Sequence, residues 1–176
     1  MDQSLTPDEQ IKAWIDRVVI GENLCPFARD ARDQTRIIMT DLDKLDGDIE
    51  QVLNELTQAN RFINNALVIV PNGLESFDDF WNICEALEDN LERSGLVAYV
   101  QLAHFHPDYC FDELHPDDRA NWTNRSPYPV LHFLCAQTVE SRIHSFSDPE
   151  SIPERNIQHL RGLSESEFRK RFHNQS

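Results

Sequence analysis

Hydrophobic residues recur at helical spacing near the start of the chain, which predicts a helical N-terminal segment over 6–21. The repeated positions are Ile11, Trp14, Ile15, Val18 and Val19. Thr6 and Glu9 stand at the spacing of a capping box, and Pro7 suits the first position of the helix. The capping residues and Pro7 therefore predict that this helix begins at residue 7.

Strand-like and helix-like patterns alternate over 36–106 and predict a βαβαβ unit. Short apolar runs at 36–40, 65–71 and 96–103 are typical of strands, and amphipathic stretches at 44–60 and 76–93 are typical of helices. This alternation predicts an α/β fold with a mainly parallel sheet. We expect a single compact domain over 1–176, whose sheet has three strands or slightly more and is flanked by helices. The alternative is a ferredoxin-like α+β fold with antiparallel pairs.

The C-terminal part, 129–173, is predicted to be helical. The apolar residues Leu131, Leu134, Cys135, Val139, Ile143 and Phe146 fit a helix over 129–146, because most of them recur at intervals of three or four positions. Two shorter helices are predicted at 153–161 and 164–173.

Residues 104–129 form a long segment between the last predicted strand and this helix. The segment holds three of the seven histidines, four of the nine prolines and no glycine. Loops of this length inside a compact domain are uncommon and are usually functional or disordered. Five aromatic residues in addition to the histidines argue against disorder. We therefore expect an ordered loop that builds a site.

The charge of the chain limits its partners. The net charge is −15, with 31 acidic and 16 basic residues, which disfavours nucleic acids and anionic membranes because both require a basic surface. No apolar run approaches the roughly 18 residues of a membrane span. The N-terminus lacks the pattern of a signal peptide, so a cytoplasmic location with reduced cysteines is expected. No motif predicts a cofactor or an oligomeric state.

His104 and His106 are candidate catalytic residues at the end of the third predicted strand. Alternation along a strand places both imidazoles on the same face. Such a pair suits acid–base catalysis or metal binding, and the alternative is that both are structural, hydrogen-bonded histidines. No residue spacing around them completes a recognised metal motif, so no metal is expected.

Arg125 is the candidate anion-binding residue, supported by Asn124 and Ser126. A guanidinium binds a carboxylate or phosphate with two parallel hydrogen bonds, and the start of the predicted helix at 129 would add backbone N–H groups. The alternative is that Ser126 only caps that helix and that Arg125 pairs with a structural aspartate.

Cys25 is a candidate nucleophile. A helix beginning at Pro26 would lower the pKa of its thiol, and His104 or His106 would serve as the base. The alternative is a buried structural cysteine, which is the more common situation for a free thiol.

Three motifs resemble those of a bacterial domain-of-unknown-function family. They are LCPFA at 24–28, HFHP at 104–107 and TNRSPYP at 123–129, followed by Leu131 and His132. The resemblance spans nearly the whole chain in the same order and adds Tyr128 and His132 to the candidate ligand-binding residues. Family members usually continue Leu-Leu-Arg-Glu after the Leu-His pair, whereas this chain has 133–136 as Phe-Leu-Cys-Ala. The resemblance implies no activity.

The leading functional hypothesis is a pocket at the carboxyl ends of the parallel strands, where α/β sheets bind ligands. It would hold a small anionic metabolite and make the protein an enzyme. One rival is a non-catalytic binding or adaptor protein that uses the aromatic and proline-rich loop. A second rival is a metal-binding protein, and a third is that the motifs only stabilise the fold.

Overall fold

A four-stranded mixed sheet with helices on both faces forms the centre of the protein. The computed structural model describes residues 5–59, 63–144, 146 and 148–173. The strands are β1 (Arg36–Met39), β2 (Asn65–Ile69), β3 (Val100–Phe105) and β4 (Val130–Cys135). Their order in the sheet is β1-β2-β4-β3. The predicted α/β fold is confirmed.

The directions of the strands agree with the predicted βαβαβ unit. β1 and β2 are parallel, and β4 runs antiparallel to both β2 and β3. The strands β1, β2 and β3 therefore point the same way, and β4 fills the space between β2 and β3. This order, with its parallel β1–β2 pair, does not match the βαββαβ order of a ferredoxin-like fold.

The predicted helix over 129–146 is wrong for its first half. Val130–Cys135 is a strand, and the helix that follows it is limited to Ala136–His144. A continuous apolar run fits a central strand with both faces covered as well as it fits a buried helix. Pairing with two neighbouring strands decides between these conformations, and a local pattern does not contain that information.

The helices surround the sheet, and most of their ends agree with the sequence signals. They are α1 (Pro7–Trp14), which continues as a π-helical turn over Ile15–Ile20, α2 (Ala28–Ala31), α3 (Leu45–Thr57), α4 (Phe77–Arg93), α5 (Ala136–His144), α6 (Ile152–Gly162) and α7 (Glu165–Phe168), which continues as a π-helical turn over Arg169–His173. The predicted capping box of Thr6 and Glu9 is present, and Ser164 and Glu167 form a second one.

The sheet separates two hydrophobic cores. On one face, α3 and α4 pack over β-strand residues such as Val68, Leu131 and Phe133. On the other face, α1, α6 and α7 pack over Leu67 and Ile69. We call these the α4 face and the α1 face of the sheet. Because successive strand residues alternate between the two faces, this division decides which candidate residues can meet.

Candidate functional site: a cavity on the α1 face

His104 and His106 both lie on the α4 face, as strand alternation predicts. Their ring centroids are 6.4 Å and 5.2 Å from that of Phe80, which belongs to α4. The two histidines are therefore neighbours on one side of the sheet, where they pack among aromatic side chains.

His106 is fully buried, and both of its ring nitrogens are used. Nε2 donates to the Leu74 carbonyl over 2.9 Å, and Nδ1 accepts from the backbone N–H of Asp108 over 3.0 Å. This pair of partners requires the neutral tautomer with its proton on Nε2. Neither nitrogen is left for substrate, so the contacts of His106 fit the structural alternative.

His104 is nearly enclosed and differs from His106 in its contacts. Its Nε2 lies 3.7 Å from Glu88 Oε1, and its ring stacks on that of Tyr109 at 5.6 Å. The Nδ1 atom is buried without a hydrogen-bond partner among the described residues. Burial lowers the pKa of His104, although the carboxylate of Glu88 acts in the opposite direction. The ring is therefore neutral near pH 7.

Arg125 binds its own loop. Its Nε donates to the Tyr109 carbonyl over 3.1 Å and its Nη2 to the Pro116 carbonyl over 2.8 Å. The guanidinium also lies 5.2 Å from the ring centre of Trp122. A strand, not a helix, follows this segment, so the predicted helix N-terminus is absent there and that part of the anion-site hypothesis is wrong. The contacts of Arg125 are those of a residue that holds the loop together.

The other polar residues of the TNRSPYP motif also bond within the protein. Asn124 Nδ2 donates to the His104 carbonyl over 3.2 Å, and the Asn124 carbonyl accepts from the N–H of His106 over 3.1 Å. Ser126 Oγ donates to the Tyr128 carbonyl over 2.5 Å. Tyr128 packs against the core of the α1 face. These bonds join the end of the loop to β3.

Asn121 is a loop-ordering residue that the sequence reasoning missed. Its buried side chain accepts from the N–H of Phe111 over 3.0 Å and donates to the His115 carbonyl over 2.9 Å. A buried amide that satisfies backbone groups in this way replaces the hydrogen bonds that regular secondary structure would supply. An asparagine in a loop is too common for the sequence to mark this role.

Cys25 and His132 lie together on the α1 face, where both line a cavity of about 320 Å³. We call it the α1-face cavity. His132 pairs across the sheet with Leu67 and Ala103, which line the same cavity. His104 pairs with Leu131 and faces the other way. The sheet therefore separates Cys25 and His132 from the His104–His106 pair, and the four residues do not form one site.

His132 is a neutral group in this cavity. Its Nε2 lies 3.3 Å from Asn65 Oδ1, which can only accept, so Nε2 carries the proton. Burial lowers the pKa of His132 to about 4. At neutral pH the other ring nitrogen, Nδ1, is therefore left with a lone pair and acts as a hydrogen-bond acceptor.

Cys25 does not have the expected electrostatic environment. The following helix begins at Ala28 and has four residues, so the predicted helix start at Pro26 is wrong. Burial raises the pKa of the Cys25 thiol, and this effect exceeds the opposite effects of the backbone N–H groups of Phe27 and Ala28 and of the charge of Arg142. The thiol is therefore protonated at neutral pH, which disfavours the nucleophile hypothesis.

A family model described as a protein of unknown function, DUF1415, matches residues 6–170. The chain belongs to the DUF1415 family. This match confirms that the chain is a member of a domain-of-unknown-function family. No curated protein and no solved structure matches the chain.

The charged groups at the cavity of this DUF1415 protein are cationic. Among the described lining residues, the charged side chains are those of Arg32 and Arg142. Arg32 bonds to Asp16 through Nε at 2.5 Å and Nη2 at 2.7 Å, and this contact lowers the pKa of Asp16. Arg142 Nη1 lies 3.8 Å from an Asp30 carboxylate oxygen. Sequence reasoning placed Arg142 inside a longer helix and did not identify it as a residue that lines a cavity.

The position of the cavity in this DUF1415 protein also differs from the prediction. Its lining includes Thr35, just before β1, and Asn64 and Asn65 at the start of β2. The cavity therefore reaches the amino ends of the parallel strands, whereas the sequence predicted a pocket at their carboxyl ends.

The described parts of the DUF1415 chain contain neither a cluster of metal-binding side chains nor a membrane-spanning helix. Within 5–59, 63–144, 146 and 148–173, no three His, Cys, Asp or Glu side chains are grouped so that they could hold a metal ion. No helix within these ranges is long and apolar enough to cross a membrane.

Proposed function

We propose that the protein binds a small, largely apolar molecule in the α1-face cavity. The observation that carries the proposal is the cavity itself, whose volume of about 320 Å³ lies within the range of roughly 300–1,000 Å³ that is usual for small-molecule sites. Its walls are mostly apolar, and a few polar side chains stand among them, as is typical of such sites. The apolar lining includes Trp14, Leu67, Phe105, Leu134 and Val139.

His132 would orient the ligand. Its neutral ring is held by Asn65, and Nδ1 offers one acceptor within walls that are mostly apolar. A hydroxyl or N–H group on the ligand satisfies that acceptor, whereas a purely hydrocarbon ligand leaves it unpaired at a cost of about 1–3 kcal/mol. The ligand class that fits best is therefore apolar with at least one polar group.

Binding is better supported than catalysis by the residues first considered. His104 and His106 lie on the opposite face of the sheet from the cavity, and burial raises the pKa of Cys25. An enzyme acting through a Cys–His pair would need a base close to the thiol and an accessible thiolate. These contacts favour a ligand that is held rather than attacked by the thiol.

An adaptor function of the long loop receives less support. Trp122, the largest loop aromatic, packs edge-on against Phe168 and Phe172 with centroid distances of 5.3 Å and 5.5 Å. These contacts bury part of the Trp122 ring within the fold, which leaves less of it for a partner. The loop's apolar residues contribute mainly to internal packing.

A neutral dye tests the proposal. N-phenyl-1-naphthylamine fluoresces in apolar surroundings, and we expect it to bind the protein with saturable enhancement. Ala103→Leu adds bulk to the cavity wall and should weaken dye binding by about tenfold or more, because overpacking costs roughly 1–3 kcal/mol. Near-ultraviolet circular dichroism checks that the variant remains folded.

Ala86→Leu provides the matched control. Ala86 is exposed on α4 and does not line the cavity, so the same side-chain change there should leave the dye affinity unchanged. Equal dye affinity in wild-type protein and a folded Ala103→Leu variant would contradict the proposal, as would the absence of saturable binding in wild type.

A further inference from the structure

The hydrogen-bonding groups in the wall of the α1-face cavity specify the polar group of its ligand. We infer that the ligand carries a neutral group that both donates and accepts hydrogen bonds, such as a hydroxyl or a primary amide, and that this group binds between Asn65 and His132. The inference rests on the function proposed above and deepens it. It adds the charge of the ligand's polar group, its hydrogen-bonding capacity and its position in the cavity.

Each partner of the Asn65–His132 hydrogen bond has a second polar atom that this bond leaves unused. His132 Nε2 donates to Asn65 Oδ1 over 3.3 Å, which leaves the lone pair of His132 Nδ1 and the N–H groups of Asn65 Nδ2. Neither Nδ1 nor Nδ2 has a hydrogen-bond partner among the residues that the structure describes. The Asn65–His132 pair therefore offers one acceptor and one donor.

Both unused atoms can be reached from the cavity. Asn65 is only 6% exposed, yet it lines the cavity, as His132 does. Among the described side chains that are not exposed, His104 Nδ1 is the nitrogen or oxygen atom that is fully enclosed without a partner. Asn65 Nδ2 and His132 Nδ1 are therefore not enclosed, and the space beside them is that of the cavity.

The two unused atoms also lie close together. Nδ1 and Nε2 of His132 are bonded to the same ring carbon, and Nδ2 and Oδ1 of Asn65 are bonded to the same amide carbon, so the hydrogen bond between Nε2 and Oδ1 holds the other two atoms near each other. One ligand group can therefore contact both. The opposite orientation of the Asn65 amide gives the same requirement, because His132 then offers the donor and Asn65 the acceptor.

The hydroxyl groups in the cavity wall are already bonded within the protein. Thr35 Oγ1 donates to a backbone carbonyl of α2 over 2.9 Å, and Thr138 Oγ1 donates to the side chain of Asn64 over 3.1 Å. A ligand that accepts from either hydroxyl has to break such a bond, whereas it breaks none at Asn65 and His132. The polar group of the ligand therefore binds most favourably at the Asn65–His132 pair.

A neutral ligand group suits the pair better than a charged one. A carboxylate offers acceptors only and would place an oxygen lone pair against that of His132 Nδ1, while an ammonium group offers donors only and would leave the Asn65 N–H groups unpaired. The positive charges of the wall do not require a ligand anion, because both arginines that line it, Arg32 and Arg142, are paired with aspartates. A hydroxyl or a primary amide satisfies both atoms without bringing a charge into a mostly apolar cavity.

The requirement for two hydrogen bonds makes the pair selective. Water can serve both atoms in the free protein, since water also donates and accepts, and a ligand group that displaces it loses affinity unless it reproduces both bonds. A site that binds a ligand hydroxyl through hydrogen bonds rejects the analogue without the O–H, because the acceptor of the site is then left unpaired.

Calorimetric titration with two matched pairs of probes tests the inference. 1-Octanol and its isomer heptyl methyl ether have the same size, and only the alcohol can donate. Octanamide and octanoate share an alkyl chain, and only the amide can donate at neutral pH. We expect wild-type protein to bind the alcohol about tenfold or more tightly than the ether, and the amide more tightly than octanoate. A tenfold preference corresponds to about 1.4 kcal/mol, which lies within the cost of leaving one buried acceptor unpaired.

His132→Phe assigns the preference to the pair. The variant keeps an aromatic ring at this position but has no acceptor, so the alcohol and the ether should bind it about equally. Near-ultraviolet circular dichroism checks that the variant remains folded. His115→Phe is the matched control, because the His115 side chain is 78% exposed and does not line the cavity. It should keep the wild-type preference for the alcohol.

The outcomes separate the inference from the proposed function. Equal binding of the alcohol and the ether by wild-type protein, or tighter binding of octanoate than of octanamide, would overturn the inference and leave cavity binding supported. A preference for the alcohol that persists in folded His132→Phe would overturn it as well. Binding of none of the probes would also overturn the inference, whereas failure of the neutral dye to respond to Ala103→Leu would independently contradict the proposed function.

Discussion

The strongest pH-dependent prediction concerns His132. Burial lowers the pKa of this histidine to about 4 in the folded protein, from an ordinary value of 6.5. Between these values the unfolded chain binds a proton that the folded protein does not. The free energy of unfolding should therefore fall as the pH is lowered from about 6.5 towards about 4, and the loss should be complete below that range.

The magnitude follows from the difference between the two pKa values. One pKa unit corresponds to about 1.4 kcal/mol, so the full difference amounts to about 3 kcal/mol. The His132 ring lines a cavity that water can enter, and partial hydration reduces the cost of protonation. We therefore expect His132 to account for about 2 kcal/mol of the stability lost on acidification.

Urea unfolding at a series of pH values from 7.5 to 4 measures this contribution. His132→Gln removes the titrating group and retains a polar side chain, so its unfolding free energy should fall less steeply with decreasing pH than that of wild type. Carboxylates and other histidines titrate in both proteins and cancel in the comparison.

Parallel curves for wild type and His132→Gln between pH 6.5 and 4 would refute the reasoning. Such a result would mean that His132 is accessible enough to be protonated normally in the folded protein. A larger acid sensitivity in the variant than in wild type would contradict it more strongly, because the sign would then be reversed.

Two further predictions concern the loop and the α4 face. Arg125→Ala should lower the free energy of unfolding by about 2 kcal/mol, because the carbonyls of Tyr109 and Pro116 lose a charged donor. Urea unfolding measures this free energy, with Arg29→Ala as the control. An unchanged unfolding midpoint in Arg125→Ala would contradict a structural role of Arg125. His104→Phe should raise the free energy of unfolding by roughly 1 kcal/mol, because it removes a buried nitrogen without a described partner. A loss of stability in that variant would indicate that Nδ1 has a partner.

Local sequence signals predicted those parts of the fold that depend on nearby residues. The capping box at Thr6 and the strand at Asn65–Ile69 are of this kind. The strand at Val130–Cys135 was wrongly predicted as part of a helix, because its apolar run fits a buried helix as well as a central strand. Insertion between β2 and β3 decides its conformation, and the pairing with β2 joins segments more than 60 positions apart.

The positions of some candidate residues also follow from a local sequence pattern, whereas the positions of others depend on irregular backbone or on tertiary packing. Alternation along one strand correctly placed His104 and His106 on a common face. The partners of Arg125 are backbone carbonyls of its own irregular loop, and a sequence pattern does not specify irregular backbone geometry. The cavity joins Cys25 to His132 through the packing of α1, α2 and α5 on the sheet, and no short motif encodes that arrangement.

Nuclear Overhauser effects between octanamide and methyl-labelled protein test the central claim most directly. Octanamide is neutral and combines an alkyl chain with one polar group, as the proposed ligand class does. We predict contacts from its alkyl chain to the methyl groups of Leu67, Leu134 and Val139, which line the α1-face cavity, and loss of these contacts in Ala103→Leu. Contacts confined to the α4 face, at Val68 and Leu131, or no contacts at saturating octanamide, would contradict the claim.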